Sequence, residues 1–134
     1  MPGEACDILI VDDQPGVRRL LSEAFIEQGL RVDTASSGAE AIRKTIAAAP
    51  RLILLDIKMP GMSGLETLEE LHRINPEIQV VMMTAYGELD MLAETRKRGV
   101  HYINKPFDLD EVRYLVKGLL MMEKDRQKRV KETG

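Results

Sequence analysis

Short runs of consecutive apolar residues alternate along this chain with segments whose apolar residues recur every three or four positions. Ile8 to Val11 is a β-branched-rich run that starts near Cys6 and ends at Asp12-Asp13. Such runs, flanked by helical segments, are expected of strands buried on both faces of a parallel sheet. A helix follows, opened by Asp13-Gln14-Pro15-Gly16, with an Asp available as cap and a proline suited to the first turn. Val17, Leu20, Leu21, Ala24 and Phe25 recur at helical spacing, and Gly29 ends the helix. Leu21 and Phe25 are expected to face the sheet, with Val17 and Leu20 at its edge. Arg31 to Ala35 predicts a short second strand.

Ser36 or Ser37 can cap a second helix, with Glu40 at the reach of a capping box. Its expected inner face is Ala41, Ile42, Ile46 and Ala49, and Pro50 stops it. Leu52 to Leu55 is again apolar without a break and runs into Asp56, followed by a Pro60-Gly61 turn. The next helix starts near Ser63-Gly64, carries Leu65, Leu68, Leu71 and Ile74, and closes at Asn75-Pro76. Ile78 to Met83 predicts a fourth strand ending at Thr84-Ala85. A helix over about Glu88 to Arg98 has a thin apolar face of Leu89, Leu92 and Ala93 and stops at Gly99. Val100 to Ile103 predicts a fifth strand ending at Asn104-Lys105-Pro106-Phe107. Asp108 caps a last helix, with Glu111 in capping-box position and Val112, Leu115, Val116, Leu119 and Leu120 facing inward.

The order is a (βα) unit repeated five times. Short alternating units force parallel strands and right-handed crossovers. The expected fold is therefore α/β, a doubly wound, flavodoxin-like sheet of order 2-1-3-4-5 with helices on both faces. A closed barrel of this kind needs eight units, more than the chain has. Residues 6–122 are expected to form one domain, and the polar stretch 123–134 either continues the last helix or frays.

Composition narrows the setting. With 134 residues the chain can bury a core without staples, and a net charge of −3 leaves no basic footprint for direct nucleic-acid contact. The single cysteine, Cys6, excludes an internal disulfide framework and suits a reducing compartment. No secretory signal or membrane-length apolar stretch is visible, so a cytoplasmic protein is expected.

The strand order gives the polar strand ends a shared address. Asp12 and Asp13 follow strand one, Asp56 strand three, Thr84 strand four and Lys105 strand five, all at the carboxyl edge, where open α/β sheets bind ligands. Three carboxylates so close cannot all ionise without compensation. Lys105 supplies one positive charge, and a divalent cation would supply the rest. An all-oxygen donor set without His or Cys suits Mg²⁺ and not zinc. A lysine, a hydroxyl, a metal and one central carboxylate make a phosphoryl-transfer site in which a carboxylate can act as nucleophile. Ala85, beside Thr84, is small enough to leave the approach open.

At these residues the sequence closely resembles the receiver domain of two-component response regulators. The matching stretches are ILIVDD (8–13), LLDIKMPGMSG (54–64), MTAYG (83–87) and KPF (105–107). DDQPGVR (12–18), MTAYGELDM (83–91) and KPFDLDEVR (105–113) more narrowly resemble the single-domain regulators of sporulation phosphorelays. The resemblance implies that Asp56 takes a phosphoryl group from a phosphohistidine on a histidine kinase or histidine phosphotransfer protein. It implies that Asp13 binds Mg²⁺ directly, Asp12 directly or through water, and the backbone carbonyl of Lys58 as a further ligand. Thr84 and Lys105 would contact the phosphoryl group, and Thr84 would move inward with Tyr102 as switch aromatic. The Lys105-Pro106 peptide is expected to be cis. One departure is a spacing from Gly99 to Lys105 one residue shorter than is usual in the family, which leaves the strand-five register and the role of Tyr102 open.

Such a domain is not a turnover enzyme; it assists its own Mg²⁺-dependent phosphorylation and slow dephosphorylation, as a monomer or weak dimer. Gln14, Pro15, Val17, Leu20, Pro106 and Phe107 would ring the site as a docking patch, or pack into the core. Lys58 and Tyr86 could shield the phosphoryl group from water or be inert loop residues. His101 and His72 read as solvent-exposed or partner-facing. The output is either a stand-alone relay or the input of a larger DNA-binding or ATPase regulator cut after its fifth helix. A phosphatase or phosphotransferase enzyme ranks last, because Lys58 stands where a second acid would be needed.

Overall fold

The computed structural model describes residues 6–85 and 100–133, with side chains up to residue 123. The elements in order are β1 (Ile8–Val11), α1 (Pro15–Ile26), β2 (Val32–Ala35), α2 (Gly38–Ala48), β3 (Leu52–Asp56), α3 (Gly64–Ile74), β4 (Gln79–Ala85), β5 (Val100–Lys105) and a C-terminal helix α4 (Leu109–Thr133). The strands form one parallel sheet in the order β2-β1-β3-β4-β5, as the alternating pattern predicts. The predicted helix over Glu88 to Arg98 lies outside the described residues.

Successive strand side chains point to opposite faces, and this sorts the core into two layers. Leu9, Val11, Ile53, Leu55, Val80 and Met82 pack with Ala41 of α2 and with Leu68 and Leu71 of α3. Ile8, Ile10, Leu52, Leu54, Val81 and Met83 pack with Leu21 and Phe25 of α1 and with Val112, Val116, Leu119 and Leu120 of α4. The central strands are buried on both sides, which is why their sequences read as unbroken apolar runs.

Several local expectations are corrected. Asp13 does not cap α1: the cap position is Gln14, without a side-chain bond, and Asp12 Oδ1 instead accepts from the Gln14 N–H at 2.9 Å. Gly29 lies beyond the end of α1 in a left-handed conformation (φ +82°), and its N–H closes the turn onto Ile26 O at 2.9 Å. On α2 the buried face is Gly38, Ala41 and Thr45, while Ile46 and Ala49 are exposed. Ile74 is likewise exposed, and Thr67 takes its place in the α3 face. Both threonines tolerate burial because their hydroxyls donate to the carbonyl one turn back, Ala41 O at 2.7 Å and Ser63 O at 2.8 Å. Gly38 admits this face: a Cβ there would collide with Thr67 Oγ1.

Ser37 Oγ caps α2 by accepting from Glu40 N–H at 3.2 Å, and Ser63 with Glu66 completes a capping box on α3. Asp108 opens α4, its Oδ1 accepting from Asp110 N–H at 2.8 Å. The polar stretch after residue 122 continues α4 as far as Thr133. At the opposite end of the sheet from the strand termini, Arg51 bonds Asp7 Oδ1 (3.3 Å), Glu123 Oε2 (3.3 Å) and Leu120 O (3.1 Å), fastening α4 to the start of β3.

Gly64 fixes how α3 leaves the β3 loop. A Cβ at this position would overlap Asp56 O and stand 2.6 Å from Ile57 Cα, both of them backbone atoms that cannot swing aside. Gly64→Ala is expected to cost about 2 kcal/mol or more as overpacking, read as a lowered urea midpoint. An unchanged midpoint would mean that the loop relaxes freely.

Candidate functional site

β1 and β3 run side by side with Val11 opposite Leu55, so the next residues, Asp12 and Asp56, end up adjacent. Both are buried, with Asp12 at 0% and Asp56 at 6% exposure. Asp13 is exposed. One carboxylate oxygen from each of Asp12, Asp13 and Asp56 lies within 4.8 Å of the others. β4 places Thr84 one residue past Met83, the partner of Asp56, and buries it completely. β5 extends to Lys105, whose Nζ sits 3.0 Å from Asp12 Oδ2 and 3.3 Å from Asp56 Oδ1. Residues spread over more than ninety positions of sequence thus share one edge of the sheet. The Lys105-Pro106 peptide is cis.

The charges do not balance. Burial, and next the charge of Asp12, push the Asp56 carboxyl up to about 6; Lys105 opposes this and Asp13 adds to it. Burial pulls the Lys105 ammonium down, but its bonds to Asp12 and Asp56 outweigh that and hold it above its ordinary value. One lysine against three carboxylates leaves a site short of positive charge, lined by hard oxygen donors. These residues fit a divalent cation of the Mg²⁺ type. The cluster contains no His or Cys, the donors that zinc sites favour.

Lys58 is exposed in the loop after β3. Of the expected docking residues, Gln14, Pro15, Leu20 and Pro106 are exposed, while Val17 and Phe107 are half-buried and pack against the α1–α4 side of the core. The patch is therefore part surface and part core. Tyr102 pairs with Met82 and packs against the α2–α3 side. Tyr86 lies outside the described residues. The histidines are not fully exposed: both are half-buried, and His101 Nε2 lies 3.3 Å from Gln79 Oε1. Burial lowers the pKa of His101.

Two contacts beside the site are not predicted by the sequence pattern. Arg18 Nη1 donates to the backbone carbonyl of Asp12 at 2.7 Å, tying the first turn of α1 to the end of β1. Asn104 sits opposite Thr84 across β4 and β5, and its Oδ1 accepts from the Thr84 hydroxyl at 3.2 Å. The second depends on the register between β4 and β5, which the short spacing from Gly99 to Lys105 leaves open in the sequence.

A family model for the response regulator receiver domain matches residues 8–117. This chain belongs to that family. The receiver is 45% identical over 117 residues to Sporulation initiation phosphotransferase F of Bacillus subtilis (strain 168), covering 87% of this chain and 94% of that protein. It is 39% identical over 117 residues to Regulatory protein AtoC of Escherichia coli (strain K12), covering 87% of this chain but 25% of that protein. Among solved structures it resembles the receiver domain of NtrX from Brucella abortus, with a TM-score of 0.79 and 32% identity over 86% of this chain and 98% of that one. A CheY-like receiver protein from Methanospirillum hungatei JF-1 matches with a TM-score of 0.81 and 27% identity over 92% and 99% of the two chains. Receivers of this kind accept phosphate from histidine kinases or phosphotransfer proteins and are signalling proteins, not turnover enzymes. Among the described residues no helix is long and apolar enough to cross a membrane.

Proposed function

We propose that Asp56 is the phosphoryl acceptor of this receiver. The observation that carries the reading is the meeting of Asp56 with Asp12, Asp13 and Lys105 at the carboxyl edge of the sheet. An Asp56 carboxylate oxygen attacks the phosphorus of a partner's phosphohistidine. The P–O bond forms as the P–N bond breaks, and the electron pair returns to the imidazole. Lys105 Nζ, already 3.3 Å from Asp56 Oδ1, takes one phosphoryl oxygen, and the Thr84 hydroxyl takes another. Asp13, Asp12, Asp56 and the carbonyl of Lys58 would hold Mg²⁺. When bound, that ion offsets the charge of the carboxylates and of the incoming phosphoryl group. Tyr102 is assigned as the switch aromatic that responds to Thr84. The domain spans residues 6–122, acts in the cytoplasm as a monomer or weak dimer, and makes no direct nucleic-acid contact.

The partner's phosphohistidine helix is assigned to the face of Gln14, Pro15, Val17, Leu20, Pro106 and Phe107. Arg18 is a poor probe of that face because it braces Asp12. Leu20, 47% exposed, is the cleaner one. Leu20→Glu is expected to slow transfer from a phosphorylated histidine phosphotransfer protein about tenfold, the order of one interface residue's effect. Labelling by acetyl phosphate should be unchanged. Equal transfer rates would remove Leu20 from the interface.

The resemblance to Sporulation initiation phosphotransferase F over 94% of its length favours a relay that passes the phosphoryl group on. The match to Regulatory protein AtoC covers a quarter of that protein, so it bears on the receiver itself and does not favour the alternative of a larger regulator. Offering acetyl phosphate with and without Mg²⁺ to wild type and Asp56→Ala tests the acceptor. Metal-dependent labelling lost in the variant supports it, and labelling that persists in the variant refutes it. Return of label to an added phosphotransfer protein then separates relay from terminal input.

A further inference from the structure

Thr84 reaches the site with its proton already engaged. It is fully buried, and its hydroxyl donates to Asn104 Oδ1 at 3.2 Å. A threonine hydroxyl carries one proton and serves one strong acceptor at a time. Asn104 is exposed and stands near the end of β5, a place where the strand itself favours β-branched residues over asparagine. Side chains alternate along a strand, so Asn104 points away from the face on which its neighbour Lys105 meets Asp12 and Asp56. The amide therefore addresses Thr84 and not the carboxylates.

We propose that Asn104 is a latch on Thr84, a positioning residue whose amide oxygen holds the hydroxyl proton until a phosphoryl group on Asp56 takes it. The latch rests on the reading in which Thr84 contacts that phosphoryl group. Donating to the phosphoryl oxygen requires giving up the bond to Asn104, so the latch opposes the phosphorylated arrangement. The net worth of one neutral hydrogen bond corresponds to roughly a fivefold shift in that equilibrium. Metal binding, whose carboxylate ligands stand at the ends of β1 and β3, is untouched. Asn104 thus tunes how readily the domain responds without touching the reacting atoms.

Beryllofluoride, a non-transferable stand-in for the phosphoryl group, separates the two steps. Its affinity in saturating Mg²⁺, and Mg²⁺ affinity alone, would be measured for wild type, Asn104→Ala, Asn104→Val, Thr84→Ala and the Thr84→Ala/Asn104→Ala double variant. The valine variant suits a strand and guards against a folding defect in the alanine one. The latch predicts beryllofluoride binding about fivefold tighter in both Asn104 variants, unchanged Mg²⁺ affinity, and no gain from Asn104→Ala once Thr84 is alanine. No gain in either single variant, an equal gain in the Thr84→Ala background, or altered Mg²⁺ affinity overturns it. If wild type fails to bind beryllofluoride with Mg²⁺ present, the acceptor site itself is wrong and the latch falls with it.

Discussion

Lys105→Met will lower Mg²⁺-dependent labelling by acetyl phosphate about 100-fold, the scale on which one preorganised cationic donor to a transferring group acts. The Lys105 side chain is only 23% exposed, and its ammonium touches both Asp12 and Asp56. Methionine keeps the length of the side chain and removes the charge. The same variant will be less stable without divalent cation, by about 3 kcal/mol at neutral pH, because it leaves buried carboxylates unpaired. Mg²⁺ will restore much of the stability but not the labelling rate. Measuring urea midpoints and labelling rates side by side separates the two effects. A Lys105→Met protein that labels at the wild-type rate would remove the lysine from the reaction.

Asp56→Asn will act in the opposite direction on stability. The Asp56 carboxyl is raised from 3.8 to about 6, with burial the leading cause and the Asp12 charge the next. A folded-state pKa above the unfolded one means that the folded protein holds the proton more tightly between those values. Stability from this group is then intact below about pH 4 and declines as pH rises towards about 6, by about 3 kcal/mol in all. Asparagine does not ionise and avoids the decline. The variant should match wild type near pH 4 and exceed it by about 3 kcal/mol above pH 7 in chelator, with added Mg²⁺ narrowing the gap. A gap between variant and wild type that is the same at pH 4 and pH 8 would show that Asp56 carries no electrostatic cost. The same residue would thus trade stability for the capacity to accept a phosphoryl group.

Much of this arrangement was legible in the residues. The runs at Ile8 to Val11, Leu52 to Leu55 and Ile78 to Met83 read as buried strands because both of their faces are covered, and the βα alternation then dictates the 2-1-3-4-5 order. Strand order alone brings Asp12, Asp56, Thr84 and Lys105 to one edge. The strand ends were harder: β4 and β5 continue through Thr84-Ala85 and Asn104-Lys105 because ladder hydrogen bonds do not depend on side-chain polarity. Helix faces were misread where a polar residue could satisfy itself. Thr45 and Thr67 go inward with their hydroxyls bonded to their own helices, while Ile46 and Ile74 stay outside. Periodicity marks an apolar stripe but not which of two neighbouring stripes meets the sheet. The bond between Thr84 and Asn104 depends on cross-strand register, which the short spacing after Gly99 leaves open in the sequence and the pairing of Met82 with Tyr102 fixes.

The central claim is that the phosphoryl group resides on Asp56. Borohydride reduces an aspartyl phosphate to homoserine, so treating the phosphorylated protein with borohydride and sequencing its peptides by mass spectrometry locates the group on the chain. The prediction is homoserine at position 56, formed only when donor and Mg²⁺ are both present. Conversion at Asp12 or Asp13 instead, or a phosphoryl group that resists borohydride altogether, would contradict the account.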